Sequence, residues 1–281
     1  VEYTADPNKT EMDTVKLLFG TNCNYHCKYC NQQEVRELVP SKQDLETAYH
    51  VIDKLASDYT IKSHIELWGG EPFVYWKTIQ KLVPYIRKYF AKVPITCITN
   101  GSLLDEEKAH FCNEYGITIV ISHDGPAQVY TRHDPDILAD KTFQKAFAIL
   151  TSTPTFGSFH FVISKYNCDL FKTIDWFDNN VFPGVPVSTE GVVWVFSYNK
   201  QYFPPFTTQE QGTLIECFNQ MARIDNPRYF FVHSYVSSFI NKLNRNPPVY
   251  KYGCNDPDEK VMSIDLKGNL LACHAEPCNI A

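Results

Sequence analysis

The sequence predicts an α/β fold, a partial (β/α)6 TIM-like barrel, from three observations. Apolar strand-like runs alternate with helix-like runs six times along the 281 residues. Such alternation implies parallel strands joined by crossover helices, and six units fit a partial barrel better than an open doubly wound sheet. Polar clusters fall one after another at the C-terminal ends of the strand-like runs, where folds of this kind carry their chemistry.

Val15 to Phe19 is a short apolar strand, and a cysteine-bearing loop follows it directly. Ser41-Lys-Gln-Asp44 reads as a capping box, after which Leu45, Ala48, Tyr49, Ile52, Leu55 and Ala56 keep one helical face apolar. Ile61 to Trp68 is the second strand. Ile79, Leu82, Val83, Ile86 and Phe90 mark the second helix, in which Pro84 either causes a kink or delays the start. Pro94 to Thr99 is the third strand, Asp105 to Tyr115 a helix ended by Gly116, and Ile117 to Ser122 the fourth strand. The pattern then continues with helix Lys141 to Leu150, strand Phe159 to Ser164, helix Leu170 to Asp178, strand Val192 to Phe196 and helix Gln209 to Ile224.

The loop after the first strand reads Cys23-Asn-Tyr-His-Cys27-Lys-Tyr-Cys30. Thiolates are soft donors suited to iron-sulfur clusters, which normally take four cysteines, so a loop that offers three leaves one iron without a protein ligand. A zinc knuckle or a disulfide-linked loop is the other reading. Zinc would want two pairs of ligands, and His26, between cysteines, is badly placed to complete a tetrahedron. After the second strand comes Gly69-Gly70-Glu71-Pro72, whose glycines let backbone approach a ligand and whose carboxylate accepts from an ammonium group. Taken alone, it would be an ordinary turn. Thr99-Asn100-Gly101 and Ser122-His123-Asp124-Gly125-Pro126 end the third and fourth strands and offer short polar side chains for a ribose, a carboxylate or an adenine edge. Each is equally readable as a turn or strand cap.

Together these motifs resemble the radical S-adenosylmethionine superfamily, in the branch of anaerobic sulfatase-maturing and peptide-modifying enzymes. The resemblance implies that Cys23, Cys27 and Cys30 hold a [4Fe-4S] cluster with an open iron, which chelates S-adenosylmethionine for reductive cleavage to a 5'-deoxyadenosyl radical. It further implies that Tyr29 packs near the adenine, that Gly69, Gly70 and Glu71 orient the methionine amine, and that Asn100, Ser122 and Arg132 contact the cofactor. His123 departs from the apolar residue usual in that motif. Asp124 and Glu190 are candidates for a catalytic base by position alone.

A second cysteine cluster, Cys254, Cys273 and Cys278, surrounds a hairpin-like stretch from Ile264 through Gly268 to Cys273. It resembles the opening of a SPASM or twitch extension, which implies auxiliary iron-sulfur clusters. Unligated thiols on a surface hairpin are the alternative. Residues 1–245 are thus expected to form the partial barrel with flanking helices, and 246–281 a small C-terminal cysteine-containing extension, incomplete against a full SPASM domain. Cys97, Cys112 and Cys217 read as packing, and Cys168 as structural, though a helix N-terminus there would lower its pKa.

A formal charge of -6 without a dense Lys/Arg run does not suggest a nucleic-acid surface. The opening stretch is polar and nothing later is apolar enough to cross a bilayer, so neither secretion nor membrane insertion is indicated. Ten cysteines are too few for a disulfide scaffold and point to a reducing compartment, hence a cytoplasmic enzyme. The lack of an initiator Met implies a trimmed N-terminus. The expected partners are a peptide or protein substrate and a reductant such as flavodoxin or ferredoxin. A radical dehydrogenase or cyclase of a small molecule and an inert cluster-binding protein are the alternatives.

Overall fold

The computed structural model describes residues 8–30, 32, 44–132, 136–192, 206–243, 260–273 and 276–279. Six parallel strands, β1 (Thr10–Leu18), β2 (Tyr59–Trp68), β3 (Ile95–Thr99), β4 (Ile117–Ser122), β5 (Phe156–Ile163) and β6 (Val187–Val192), are laid side by side in chain order. The helices between and after them are α1 (Leu45–Asp58), α2 (Trp76–Tyr89), α3 (Glu106–Tyr115), the single turn α4 (Gln128–Thr131), α5 (Lys141–Thr151), α6 (Leu170–Asn180), α7 (Thr208–Met221) and α8 (Phe230–Leu243). The sheet then continues beyond β1 with β7 (Val261–Asp265), β8 (Leu270–Cys273) and β9 (Glu276–Asn279), giving the order β6-β5-β4-β3-β2-β1-β7-β8-β9. The sheet is therefore open, as a partial barrel requires, and the C-terminal hairpin extends it rather than standing apart.

Burial follows from the strand period. In β4, Ile117, Ile119 and Ile121 are buried while Thr118, Val120 and Ser122 are half-buried, because successive side chains point to opposite faces. β1 pairs with β2 on one side and β7 on the other, both parallel. Val15 and Leu17 are accordingly fully enclosed. Behind β4 and β5, Phe159 and Phe177 lie 5.3 Å apart between ring centres and close the core under α6.

Two expectations about elements are corrected, and a third falls largely outside the described residues. The first helix is capped by Asp44, whose carboxylate accepts from Glu46 N and Thr47 Oγ1, so it starts at Leu45 rather than after Ser41, which lies outside the described residues. The sixth strand is described over Val187–Val192, and of the expected strand Val192 to Phe196 only Val192 falls in it, residues 193–196 lying outside the described residues. Within β6, Ser188 bonds through its hydroxyl to Ser158 and His160 of β5. Pro84 neither starts nor ends α2: the helix runs from Trp76 through it. Gly116 ends α3 in the left-handed conformation at φ 61° as expected.

Candidate active site

The cysteine loop is fastened by backbone hydrogen bonds that prolong the β1–β2 pairing past the strand ends. Phe19 N donates to Trp68 O (2.9 Å), Gly70 N to Gly20 O (3.0 Å) and Glu71 N to Asn22 O (3.0 Å). A Cβ on Gly70 would stand 2.4 Å from Asn22 O and 2.5 Å from Thr21 O, so glycine is what allows the two loops to touch. Tyr75, buried in the turn after Glu71, accepts from Asn22 N at 3.0 Å and packs where a Gly20 side chain would be. On the far side, Lys28 N donates to Thr131 O at 2.8 Å, tying the loop to α4.

Cys27 is buried, and Cys23 and Cys30 are half-buried against the core. Burial pushes the Cys27 thiol up to about 12, with the Arg132 guanidinium opposing it. A thiol so placed loses its proton when a metal centre replaces the missing solvation. Three soft sulfur donors on one loop, braced from β2 and α4, suit an iron-sulfur cluster as a donor set. Cys23, Cys27 and Cys30 would hold it.

Glu71 is fully buried and joins three strand ends. Its Oε1 accepts from Phe73 N (3.0 Å) and Thr99 Oγ1 (2.7 Å), and its Oε2 from Asn100 N (2.7 Å). Burial raises the Glu71 carboxyl above its ordinary value, against the pull of those three donors. Three of about four acceptor positions are thus engaged, and one remains for an ammonium group. Asn100 does not stand alone at the end of β3. Its side chain bonds Asn24 in the cysteine loop (2.9 Å) and is held by Ser102.

Asp124 is fully buried just past the end of β4. Its Oδ2 accepts from Tyr29 Oη (2.8 Å) and Thr131 Oγ1 (2.6 Å), its Oδ1 from Val162 N (2.9 Å), and Arg132 Nε lies 3.1 Å from Oδ1. With three hydrogen bonds and the Arg132 ion pair, Asp124 ties the cysteine loop to α4 and β5. Arg132 likewise has an internal carboxylate partner, and its guanidinium lies 5.3 Å over the Tyr29 ring. Tyr29 is therefore set by Asp124 and Arg132 just before the last cysteine. Ser122 lies half-buried at the tip of β4, beside this network.

His123, whose role the sequence leaves open, is fully buried and stacked on Trp176. Nδ1 accepts from Gly125 N at 3.0 Å, which places the ring proton on Nε2, 2.9 Å from Asp136 Oδ1. Hydrogen bonding to His123 then holds the Asp136 carboxyl below the usual range even though burial pushes it up. The consecutive residues His123 and Asp124 thus grip Asp136 and Arg132, the two ends of one short segment.

Tyr75, Asn24, Ser102 and Thr131 were not singled out by sequence reasoning. Asn24 and Ser102 sit inside or beside recognised motifs, which was a usable signal; Tyr75 and Thr131 act across long sequence separations, which carry none. Cys97 and Cys112 are buried as packing residues, as expected, and so is Cys217. Burial raises the Cys168 thiol instead of the helix terminus lowering it. Among the candidates at the C-terminus, Cys254 lies outside the described residues. Backbone alone is described for Cys273 on β8, Cys278 on β9 and Glu190 on β6. The expected hairpin is present: Gly268, at φ 88°, donates to Asp265 O (3.1 Å), and Asp265 Oδ1 accepts from Lys267 N and Asn269 N. No helix among the described residues is long and apolar enough to cross a membrane.

The fold is an open parallel α/β sheet with a three-cysteine loop following its first strand. Residues 17–148 match the family model of the Radical SAM superfamily. The chain is 23% identical over 188 residues to the radical SAM cyclopropyl synthase TigE of Paramaledivibacter caminithermalis, covering 61% of this chain and 38% of that protein. It is 21% identical over 287 residues to the serine-type anaerobic sulfatase-maturating enzyme of Bacteroides thetaiotaomicron, covering 90% of this chain and 67% of that one. Among solved structures, native anSMEcpe with bound AdoMet and the Kp18Cys peptide matches in fold, with a TM-score of 0.66 and 16% identity over 94% of this chain and 75% of that one.

Proposed function

We propose that this chain is a radical S-adenosylmethionine enzyme that abstracts a hydrogen atom from a peptide or protein side chain. The observation that carries the reading is the cysteine loop: three thiols in three-then-two spacing, braced by main-chain bonds to Gly70, Glu71 and Thr131. When bound, the cluster and cofactor supply one-electron cleavage to methionine and a 5'-deoxyadenosyl radical. The protein's part is to present three sulfurs, leave one iron open, and receive the methionine end of the cofactor near Gly69, Gly70 and Glu71. Asp124, Arg132 and Tyr29 fix the floor of that site.

A peptide or protein substrate is supported by the sulfatase-maturating relative, whose match spans nearly the whole chain. An auxiliary cluster at Cys254, Cys273 and Cys278, and a flavodoxin- or ferredoxin-type reductant, belong to the same proposal. Anaerobic reconstitution with iron and sulfide, followed by dithionite and S-adenosylmethionine, tests the core of it. We expect 5'-deoxyadenosine from the native chain and none from a Cys23→Ala, Cys27→Ala, Cys30→Ala variant; equal yields from both would refute the assignment. Deuterium transfer from labelled peptides to the nucleoside tests the substrate class.

A further inference from the structure

We propose that Asn100 is a positioning residue that tunes the reduction potential of the cluster by directing an amide N–H at the sulfur of Cys23, an inference that rests on the function proposed above. Asn100 is buried, and its Nδ2 lies 3.9 Å from Cys23 Sγ, within reach for a large sulfur acceptor, and 2.9 Å from Asn24 Oδ1. An amide can be placed either way round, so the direction of its N–H has to be argued from partners. Here the partners decide it.

Asn100 Oδ1 accepts from both Ser102 N (2.9 Å) and Ser102 Oγ (2.6 Å), two donors that an NH2 group could not satisfy. Asn24 closes the ring by donating its Nδ2 to Ser102 Oγ (2.7 Å) and presenting its Oδ1 to Asn100. Flipping Asn100 would set its NH2 against the Ser102 N–H and its oxygen against Asn24 Oδ1, and flipping Asn24 would set one NH2 against the other. The backbone N–H of Asn100 is separately held by Glu71 Oε2 at 2.7 Å. Both hydrogens of the Asn100 amide are therefore assigned, one to Asn24 and one to Cys23.

A donor at a ligand sulfur stabilises the extra negative charge of a reduced cluster and so makes reduction easier. For a site that must be reduced before anything else happens, this is a setting of the driving force. It also gives Thr99-Asn100-Gly101 a task in the protein itself, with Asn100 turned toward the cysteine loop.

The test is an anaerobic redox titration of the reconstituted full-length chain, followed by electron paramagnetic resonance, with iron and sulfide counted in each sample. Asn100→Ala is expected to keep the native iron count and to shift the midpoint to a more negative potential. Ser102→Ala, which keeps Asn100 but frees its rotation, is expected to shift it the same way by less. An unchanged midpoint in a fully loaded Asn100→Ala chain overturns the proposal. If that variant fails to load, the Ser102→Ala midpoint decides, and no shift there overturns it equally. Native protein that takes up no cluster refutes the functional reading as well. Native protein that loads and shows the shifts but does not cleave S-adenosylmethionine refutes the reading while leaving the tuning role intact.

Discussion

At the scale of single residues, the most consequential side chain is Asp124. It is fully buried and satisfies Tyr29, Thr131, the Val162 amide and the Arg132 guanidinium together. Replacing one partner of a buried ion pair costs about 3–5 kcal/mol, because the other charge stays behind without compensation. Asp124→Ala should therefore lower stability by about that much in urea unfolding, and a loss under ~1 kcal/mol would contradict the pairing described. Gly70 makes a second residue-scale prediction. A methyl group there meets two backbone oxygens of the cysteine loop, and overpacking of this kind costs ~1–3 kcal/mol. Gly70→Ala should lower both the melting temperature and the iron bound after reconstitution. Gly212→Ala is the control: it adds a methyl group in open space on α7 and should stabilise by about 1 kcal/mol.

At the scale of elements, one ion pair ties the turn before α8 to α6. Both guanidinium ends of Arg228 meet the Asp178 carboxylate, with Nη2 at 2.7 Å from Oδ1. That hydrogen bonding is the main reason the Asp178 carboxyl is held below its ordinary value. A carboxyl whose folded pKa lies below its unfolded one contributes stability above the unfolded value, near ~3.9, and loses it as the pH falls through the lower folded value. Stability measured from pH 7 downward should thus fall on the acid side, and Asp178→Asn should flatten that acid limb while lowering the plateau. If the variant's acid limb matched the native one, the pair would not be contributing. Glu71 has the opposite sign. Its raised pKa means that its contribution is present at acid pH and declines as the pH rises through the folded value.

At the scale of the whole molecule, the sheet has a protected centre and two edges. β1 is hydrogen-bonded on both sides, by β2 and β7, whereas β6 pairs only with β5 among the described residues. Interior strands open only with the global fold, while edges open locally. Amides of Val15, Leu17 and Leu18 should accordingly exchange most slowly with deuterium, and those of β6 faster by orders of magnitude. Comparable protection in both strands would show that another element covers β6. The same centre carries the cysteine loop, so the proposed cluster is attached to the most stable part of the sheet.

Sequence by itself determined the order and kind of the six strand-helix units, because apolar periodicity is a local property that parallel strands and their crossovers express directly. It also determined the three-cysteine loop and the motifs at the strand ends, because ligand spacing within a tight loop is local too. It did not show the start of β6 at Val187, where polar side chains from two strands satisfy one another and leave no periodic trace. Only the tertiary structure decided what the motifs do to each other: Glu71 reaching Asn100, Asp124 holding Tyr29 and Arg132, Asn100 turned toward Cys23. Apart from the Asp124–Arg132 pair, those contacts join residues 29 to 95 positions apart, and the hydrogen-bond direction at each depends on a partner that no local pattern specifies.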